Sequence, residues 1–289
     1  MTLFFSSMGH NDLLKAPLTH KLQEIYGDVA IAHLTGINTE VANLARAIQK
    51  SDRVIIWNGV EMGCGFVKQQ CGKFNKPFAI IERGLFPQRE DNYILDRSGV
   101  GAHSWIMHDL LFNRVFPEKT LEAEEAISNL KEERNFEYRG GTKLVVVGQL
   151  WHDSTVYSAT NGESYDKMID SFLEKNKAFK AEDVVFCPHP KEPNPKSKYK
   201  ISTRSTLEEC KEAALVVGIS STIFYELMAY GVPIASLDIN PTYLVPLFLP
   251  TSDSWKIPKE VVIQQILNHQ FDLSMSNEQI KEKIERVLV

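Results

Sequence analysis

Short apolar runs alternate along the chain with longer stretches whose apolar residues recur at three- and four-residue steps, the rhythm of parallel strands joined by helices. In the first half, residues 29–34, 53–57 and 77–81 read as strands. Residues 40–50 place Val41, Leu44, Ala45 and Ile48 at i, i+3, i+4 and i+7, one face of a helix. The charged, helix-prone stretch 118–133 leads into Tyr138-Arg139-Gly140-Gly141, whose glycine pair is the expected hinge. In the second half, 143–148, 184–186, 215–217 and 233–237 read as strands. Residues 165–175 and 221–230 read as helices, the latter stopped by Gly231. Residues 277–289 form an amphipathic helix with Ile280, Ile284 and Val287 on one side.

Two βα series of similar size predict an α/β protein of two doubly wound, Rossmann-like domains facing one another across a cleft, the GT-B type of architecture. The expected domains are 1–139 and 140–289, with the last helix free to pack back on the N-terminal domain. In open α/β sheets, ligands gather at the carboxyl ends of the strands, so residues directly after strands are the candidates for chemistry.

Composition narrows the field. The chain has 289 residues, 43% hydrophobic and 24% charged, as expected of a globular protein of one large or two ordinary domains. A formal net charge of -5 leaves no basic footprint for nucleic acid. Cys64, Cys71, Cys187 and Cys210 match neither a zinc pattern nor a Cys-x-x-Cys pair and read as buried free thiols. The start of the sequence lacks the basic and apolar regions of a signal peptide, and no run of eighteen apolar residues occurs. A cytoplasmic location is expected.

Four segments carry candidate chemistry. Gly218-Ile219-Ser220-Ser221-Thr222 opens a helix, either as a plain N-cap or as an anion site built from hydroxyls, first-turn N–H groups and the helix dipole. Glu226, one turn on, is either a solvated carboxylate or a ligand for a ribose hydroxyl. His189-Pro190-Lys191 closes a strand, and the proline fixes the backbone so that the imidazole is held at the strand end, where it can donate to a phosphate oxygen. Gln149 and Asp153 lie in one polar loop after the strand 143–148, and Asp153 suits a metal ligand, a nucleophile or a turn cap. Glu82-Arg83-Gly84 follows the strand 77–81. Its acidic residue is either half of a surface pair with Arg83 or a proton shuttle, with Gly84 allowing a tight exit from the sheet. Asn58-Gly59, ending the preceding strand, suits the lining of a pocket. No histidine or carboxylate spacing marks a metal site; His103 and His108 are five apart, off one helical face.

In their order, Glu82-Arg83-Gly84, Gln149 with Asp153, His189-Pro190 and Ser220-Ser221-Thr222 resemble the bacterial β-Kdo transferases of capsule and lipopolysaccharide assembly. The resemblance spans roughly residues 54–238. It implies a GT-B fold and a CMP-β-Kdo donor, with His189, Ser220, Ser221 and Thr222 holding the CMP phosphate; by their places beside these, Pro190, Lys191, Gly218 and Glu226 complete the expected CMP site. It makes Asp153 the nucleophile and Glu82 the acid/base; by their places at the same strand ends, Gln149, Arg83, Gly84, Asn58 and Gly59 are expected to line the donor and acceptor pocket. Arg83 departs from the pattern, since related sequences often carry a second acidic or another polar residue there.

The implied reaction transfers Kdo to a sugar acceptor of a surface polysaccharide or glycolipid, with retention through a covalent Asp153 adduct. CMP is a good leaving group, so anion stabilisation by His189 is expected in place of a metal, and no cofactor is expected. The partners are a CMP-sugar and a carbohydrate. With no transmembrane segment expected, the protein is still compatible with peripheral association at the inner face of the inner membrane. The alternatives are an inverting CMP-sialic acid or other nonulosonate transferase with Glu82 as general base, a sugar-nucleotide epimerase of the same fold, and a non-enzymatic partner.

Overall fold

The computed structural model describes residues 1–289 apart from 7–15, 33–37, 59–62, 88, 100–103, 111–116, 151–162, 220, 238–256 and 289, and apart from the side chains of 38, 39, 107 and 108. The chain divides into two units, Met1–Val115 with Gln265–Val289, and Phe116–Gln264.

The first unit contains β1 (Thr2–Phe5), α1 (Pro17–Tyr26), β2 (Val29–Ala32), α2 (Asn38–Lys50), β3 (Arg53–Trp57), α3 (Cys64–Lys73), β4 (Phe78–Arg83), β5 (Asn92–Asp96) and the single turn α4 (Trp105–His108). Its sheet has the order β2-β1-β3-β4-β5 and is completed by β11 (Gln270–Asp272) from near the C-terminal end. Strands β1 to β4 are parallel, while β5 runs against β4 and β11 against β5. The apolar runs in β1, β3 and β4 are unbroken because both faces of the sheet are covered. Leu3, Phe5, Val54, Ile56 and Ile80 pack with Leu44 and Ile48 of α2 and with Cys64, Val67 and Cys71 of α3. The alternate residues Phe4, Ile55, Ala79 and Ile81 pack with Leu18 and Leu22 of α1 and with Ile280, Ile284 and Val287 of α10 (Asn277–Val287).

The second unit holds α5 (Leu121–Arg134), β6 (Lys143–Val147), α6 (Tyr165–Lys175), β7 (Val184–Cys187), β8 (Lys200–Ile201), α7 (Thr206–Cys210), β9 (Ala213–Gly218), α8 (Ile223–Tyr230) and β10 (Ile234–Ser236). Its sheet has the order β10-β9-β6-β7-β8, all parallel. Succession runs outward from β6 through β7 to β8, then jumps back to β9 and on to β10. The reversal puts a topological switch point between β6 and β9. Helix α9 (Lys259–His269) carries the boundary at 264/265, before β11 and α10 join the first unit.

Two expectations need correction. The break at 139/140 is not where the chain divides; residues 116–139 belong to the second unit. Gly140-Gly141 is no hinge, because the backbone is pinned there. Arg139 N–H donates to Lys211 O (2.9 Å), the Tyr138 hydroxyl donates to Ala213 O (2.9 Å), and a Cβ added to Gly141 would lie 2.0 Å from Glu212 O. Gly141 serves close approach at the entry to β6, and Gly140 takes a left-handed φ of +72. The hydrophobic pattern also missed β1, α1, α3, β5, α4, β8, α7, α9 and β11, most of them short or, in α3, interrupted by Gly65 and Gly72.

Candidate functional site

The site is built from residues leaving the second sheet at its carboxyl edge. Val147 stands in register with Cys187 and with Gly218, so Gly148-Gln149, Pro188-His189 and Ile219 emerge side by side at the switch point. Two glycines allow this crowding. A Cβ on Gly148 would lie 2.9 Å from Phe186 Cζ, and one on Gly218 would lie 2.8 Å from Phe224 Cζ and 3.0 Å from Val147 O.

His189 begins a tight turn. Glu192 N–H donates to His189 O (2.9 Å), with Pro190 at the second position, where its fixed φ suits the turn. Lys191 N–H donates to His189 Nδ1 (3.1 Å). A nitrogen that accepts carries no proton, so the neutral ring holds its proton on Nε2, the atom that can donate to an anion. The imidazole is half-buried, whereas Pro190 and Lys191 are exposed.

Beside it lies a cavity of about 460 Å³, within the range of small-ligand pockets. His189, Gln149 and Glu192 line it together with Tyr165, Asp166 and Lys196. The phenol of Tyr165 accepts from Gln149 N–H (2.8 Å) and its ring packs on Phe186 with centroids 5.4 Å apart. Ser164 caps α6 by accepting from Lys167 N–H (3.4 Å). Asp166, in the first turn, accepts from the Ser197 hydroxyl (2.6 Å) and from Lys198 N–H (2.9 Å), which ties the 192–198 loop to the helix. Sequence reasoning thus found Gln149 and His189 but missed Tyr165, Asp166, Glu192 and Lys196. The one available signal was Ser164 two residues before Asp166, a helix-start pattern that says nothing of a pocket.

At the third strand end, helix α8 starts at Ile223. Thr222 occupies the N-cap position with helical dihedrals (φ -63, ψ -19) and makes no side-chain cap bond. The plain-cap reading of Thr222 is therefore not what the structure adopts. Glu226 is buried, 5% exposed, which removes its solvated reading. It lies one turn before Tyr230, whose phenol is pushed up by burial first and by the Glu226 charge second.

The first unit brings its own candidates together at the ends of β3 and β4. Asn58 Nδ2 donates to Glu82 Oε2 (2.6 Å), and Arg83 N–H donates to Glu82 Oε1 (2.8 Å). Arg83 turns elsewhere. Its guanidinium stands 5.9 Å from the Trp57 ring centroid and 5.4 Å from that of Tyr93, and donates to the Tyr93 hydroxyl (3.3 Å) and to Glu90 O. Gly84 permits the exit from β4, since a Cβ there would lie 2.7 Å from Asn92 Cβ. Gln270 of β11, unforeseen from sequence, clamps the following turn. Its Oε1 accepts from Leu85 N–H (2.8 Å) and Phe86 N–H (3.1 Å), and its Nε2 donates to Phe86 O (2.5 Å).

Asp153, Ser220 and Gly59 lie outside the described residues. All four cysteines are buried free thiols; burial pushes those of Cys71 and Cys187 up to about 12, so they are unreactive in the fold. Among the described residues no three metal-ligating side chains cluster, and no helix is long and apolar enough to cross a membrane.

No family model matches the chain, and neither does any curated protein. Among solved structures, KpsC of Thermosulfurimonas dismutans, a β-Kdo 2,7 transferase, superposes with a TM-score of 0.64 at 18% identity, covering 99% of each chain. A UDP-GlcNAc 2-epimerase of Methanocaldococcus jannaschii is similar over 96% of this chain and 93% of its own, but at 13% identity and a TM-score of 0.34 that likeness carries no weight. The motif-based resemblance to β-Kdo transferases is thus matched by structure along the whole chain: the protein has an α/β fold of the GT-B type, shared with a β-Kdo transferase.

Proposed function

We propose that the chain is a glycosyltransferase that takes a CMP-activated ulosonic acid, Kdo, as donor and passes it to a sugar acceptor of a bacterial surface polysaccharide or glycolipid. The observation that carries this reading is His189. Its ring stands at a strand end, where Nδ1 accepts from Lys191 N–H, and the ring proton on Nε2 is a donor of the kind a phosphate at the switch point takes. A donor of that kind stabilises charge developing on departing CMP. The shared fold with a β-Kdo transferase supports the same reading.

In this scheme the backbone at Gly218, Ser220, Ser221 and Thr222 and the side chains of His189 and Lys191 hold the CMP phosphate. The cavity beside Tyr165 and Gln149 is of a size to take part of the donor. Asp153 attacks the anomeric carbon, the carbon–oxygen bond to CMP breaks, and Glu82 then takes the proton of the acceptor hydroxyl. No step calls for a metal. Intact mass spectrometry after incubation with CMP-Kdo tests the scheme. The expected result is a covalent ulosonyl adduct on the wild type that is absent from Asp153→Ala, with turnover lost in that variant. Normal turnover by Asp153→Ala would overturn the nucleophile and favour an inverting route, which product configuration by NMR would register.

A further inference from the structure

At the carboxyl ends of β3 and β4, the described residues around Glu82 form a holder for its carboxylate. Asn58 follows β3 with φ +65, a left-handed conformation that asparagine tolerates better than most residues. Its backbone N–H donates to Ile81 O (2.8 Å), so the ladder between β3 and β4 extends one residue past the strand. The turn this makes brings the side-chain amide back over β4, where Nδ2 meets Glu82 Oε2 at 2.6 Å. The other oxygen takes the N–H of Arg83 at 2.8 Å. Each carboxylate oxygen thus accepts from a nitrogen that can only donate, a match to the ionised group. Behind this pair, Gln270 secures the turn after Gly84 through both faces of its amide.

We infer that Asn58 is a positioning residue: it orients the Glu82 carboxylate, in its ionised form, as the base that receives the acceptor's proton. The inference rests on the glycosyltransferase reading above. In the step concerned, the acceptor O–H bond breaks and its proton passes to Glu82. The freed oxygen bonds to the anomeric carbon, and the bond from that carbon to its leaving oxygen breaks with the electron pair, whether that oxygen belongs to the Asp153 adduct or to CMP. Asn58 touches none of the reacting atoms. A single hydrogen bond to a charged group sets the scale of its contribution at about 10- to 100-fold in rate.

The test uses the full chain, CMP-Kdo and a panel of sugar acceptors. Asn58→Gly removes the amide and keeps a residue at ease with φ above zero, so the turn survives. Asn58→Asp replaces the donor by a second carboxylate. Both are expected to lower kcat by about 10-fold or more with KM for CMP-Kdo within about 2-fold of the wild type, Asn58→Asp the more severely. In a Glu82→Gln background, Asn58→Gly should cost no further factor, because the two side chains act as a unit. Asn58→Gly at wild-type kcat, or a full additional loss in the Glu82→Gln background, overturns the positioning role while leaving the transferase reading intact. A wild type that consumes no CMP-Kdo overturns that reading and the inference with it.

Discussion

At the scale of single residues, two histidines at element ends are set by different surroundings, one by a hydrogen bond and one by burial. His189 is half-buried, and its Nδ1 is occupied by the Lys191 amide, so the ring presents an N–H. His269 closes α9 with Trp105 edge-on to it, centroids 5.2 Å apart. Burial pushes its imidazole down to about 4; Asp96 and Asp109 oppose this, while Lys283 and Arg97 add to it. A helix C-terminus favours a cation by only about 0.3–1 kcal/mol, and desolvation wins. The folded chain therefore keeps His269 neutral, whereas the unfolded chain takes up its proton below about pH 6.5. Stability is expected to fall as pH drops from about 6.5 towards 4, with a slope from this group of up to about 1.4 kcal/mol per pH unit. Urea unfolding of His269→Phe at stepped pH should show a flatter slope; an unchanged slope would place its source elsewhere. His189 and Glu82 are legible in the sequence because each stands at the end of an apolar run, Glu82 as the penultimate residue of β4 and His189 two residues after β7. His269 and Tyr165 are not, since nothing local tells that one ring meets Trp105 or that the other's hydroxyl meets the Gln149 amide.

At the scale of elements, the strands with unbroken apolar runs are legible because the sheet is covered on both faces and needs no alternation. The three-residue β11, Gln-Phe-Asp, has too few positions to show a period, yet it supplies the clamp on the turn after Gly84. Gln270 is 6% exposed and satisfies two N–H groups and one carbonyl. Gln270→Ala leaves those groups without their partner, at a cost of about 1–3 kcal/mol for a buried polar group. The urea midpoint of this variant should drop accordingly. A midpoint equal to the wild type's would mean that the turn finds other partners or water at no cost. The Gly140-Gly141 pair shows the reverse failure. Two adjacent glycines read as a hinge, but a left-handed φ at Gly140 and close approach of Gly141 to Glu212 O account for them, and only the packing decides.

At the scale of the molecule, each unit has its own sheet and its own reversal of strand order, and the candidate residues fall at strand ends in both. That much follows from the βα rhythm, whereas the boundaries at 115/116 and 264/265 do not, because the chain re-enters the first unit through β11 and α10 without any change in composition. The central claim concerns the second unit, where the ends of β6, β7 and β9 are held to bind cytidylate. A crystal structure of the chain with CMP tests it most directly. A phosphate oxygen is expected within hydrogen-bond distance of His189 Nε2 and of the Ser221–Thr222 turn, with loss of the bound nucleotide in His189→Ala. A well-ordered CMP seated away from β6, β7 and β9, or one that His189→Ala leaves in place with unchanged affinity, would contradict it.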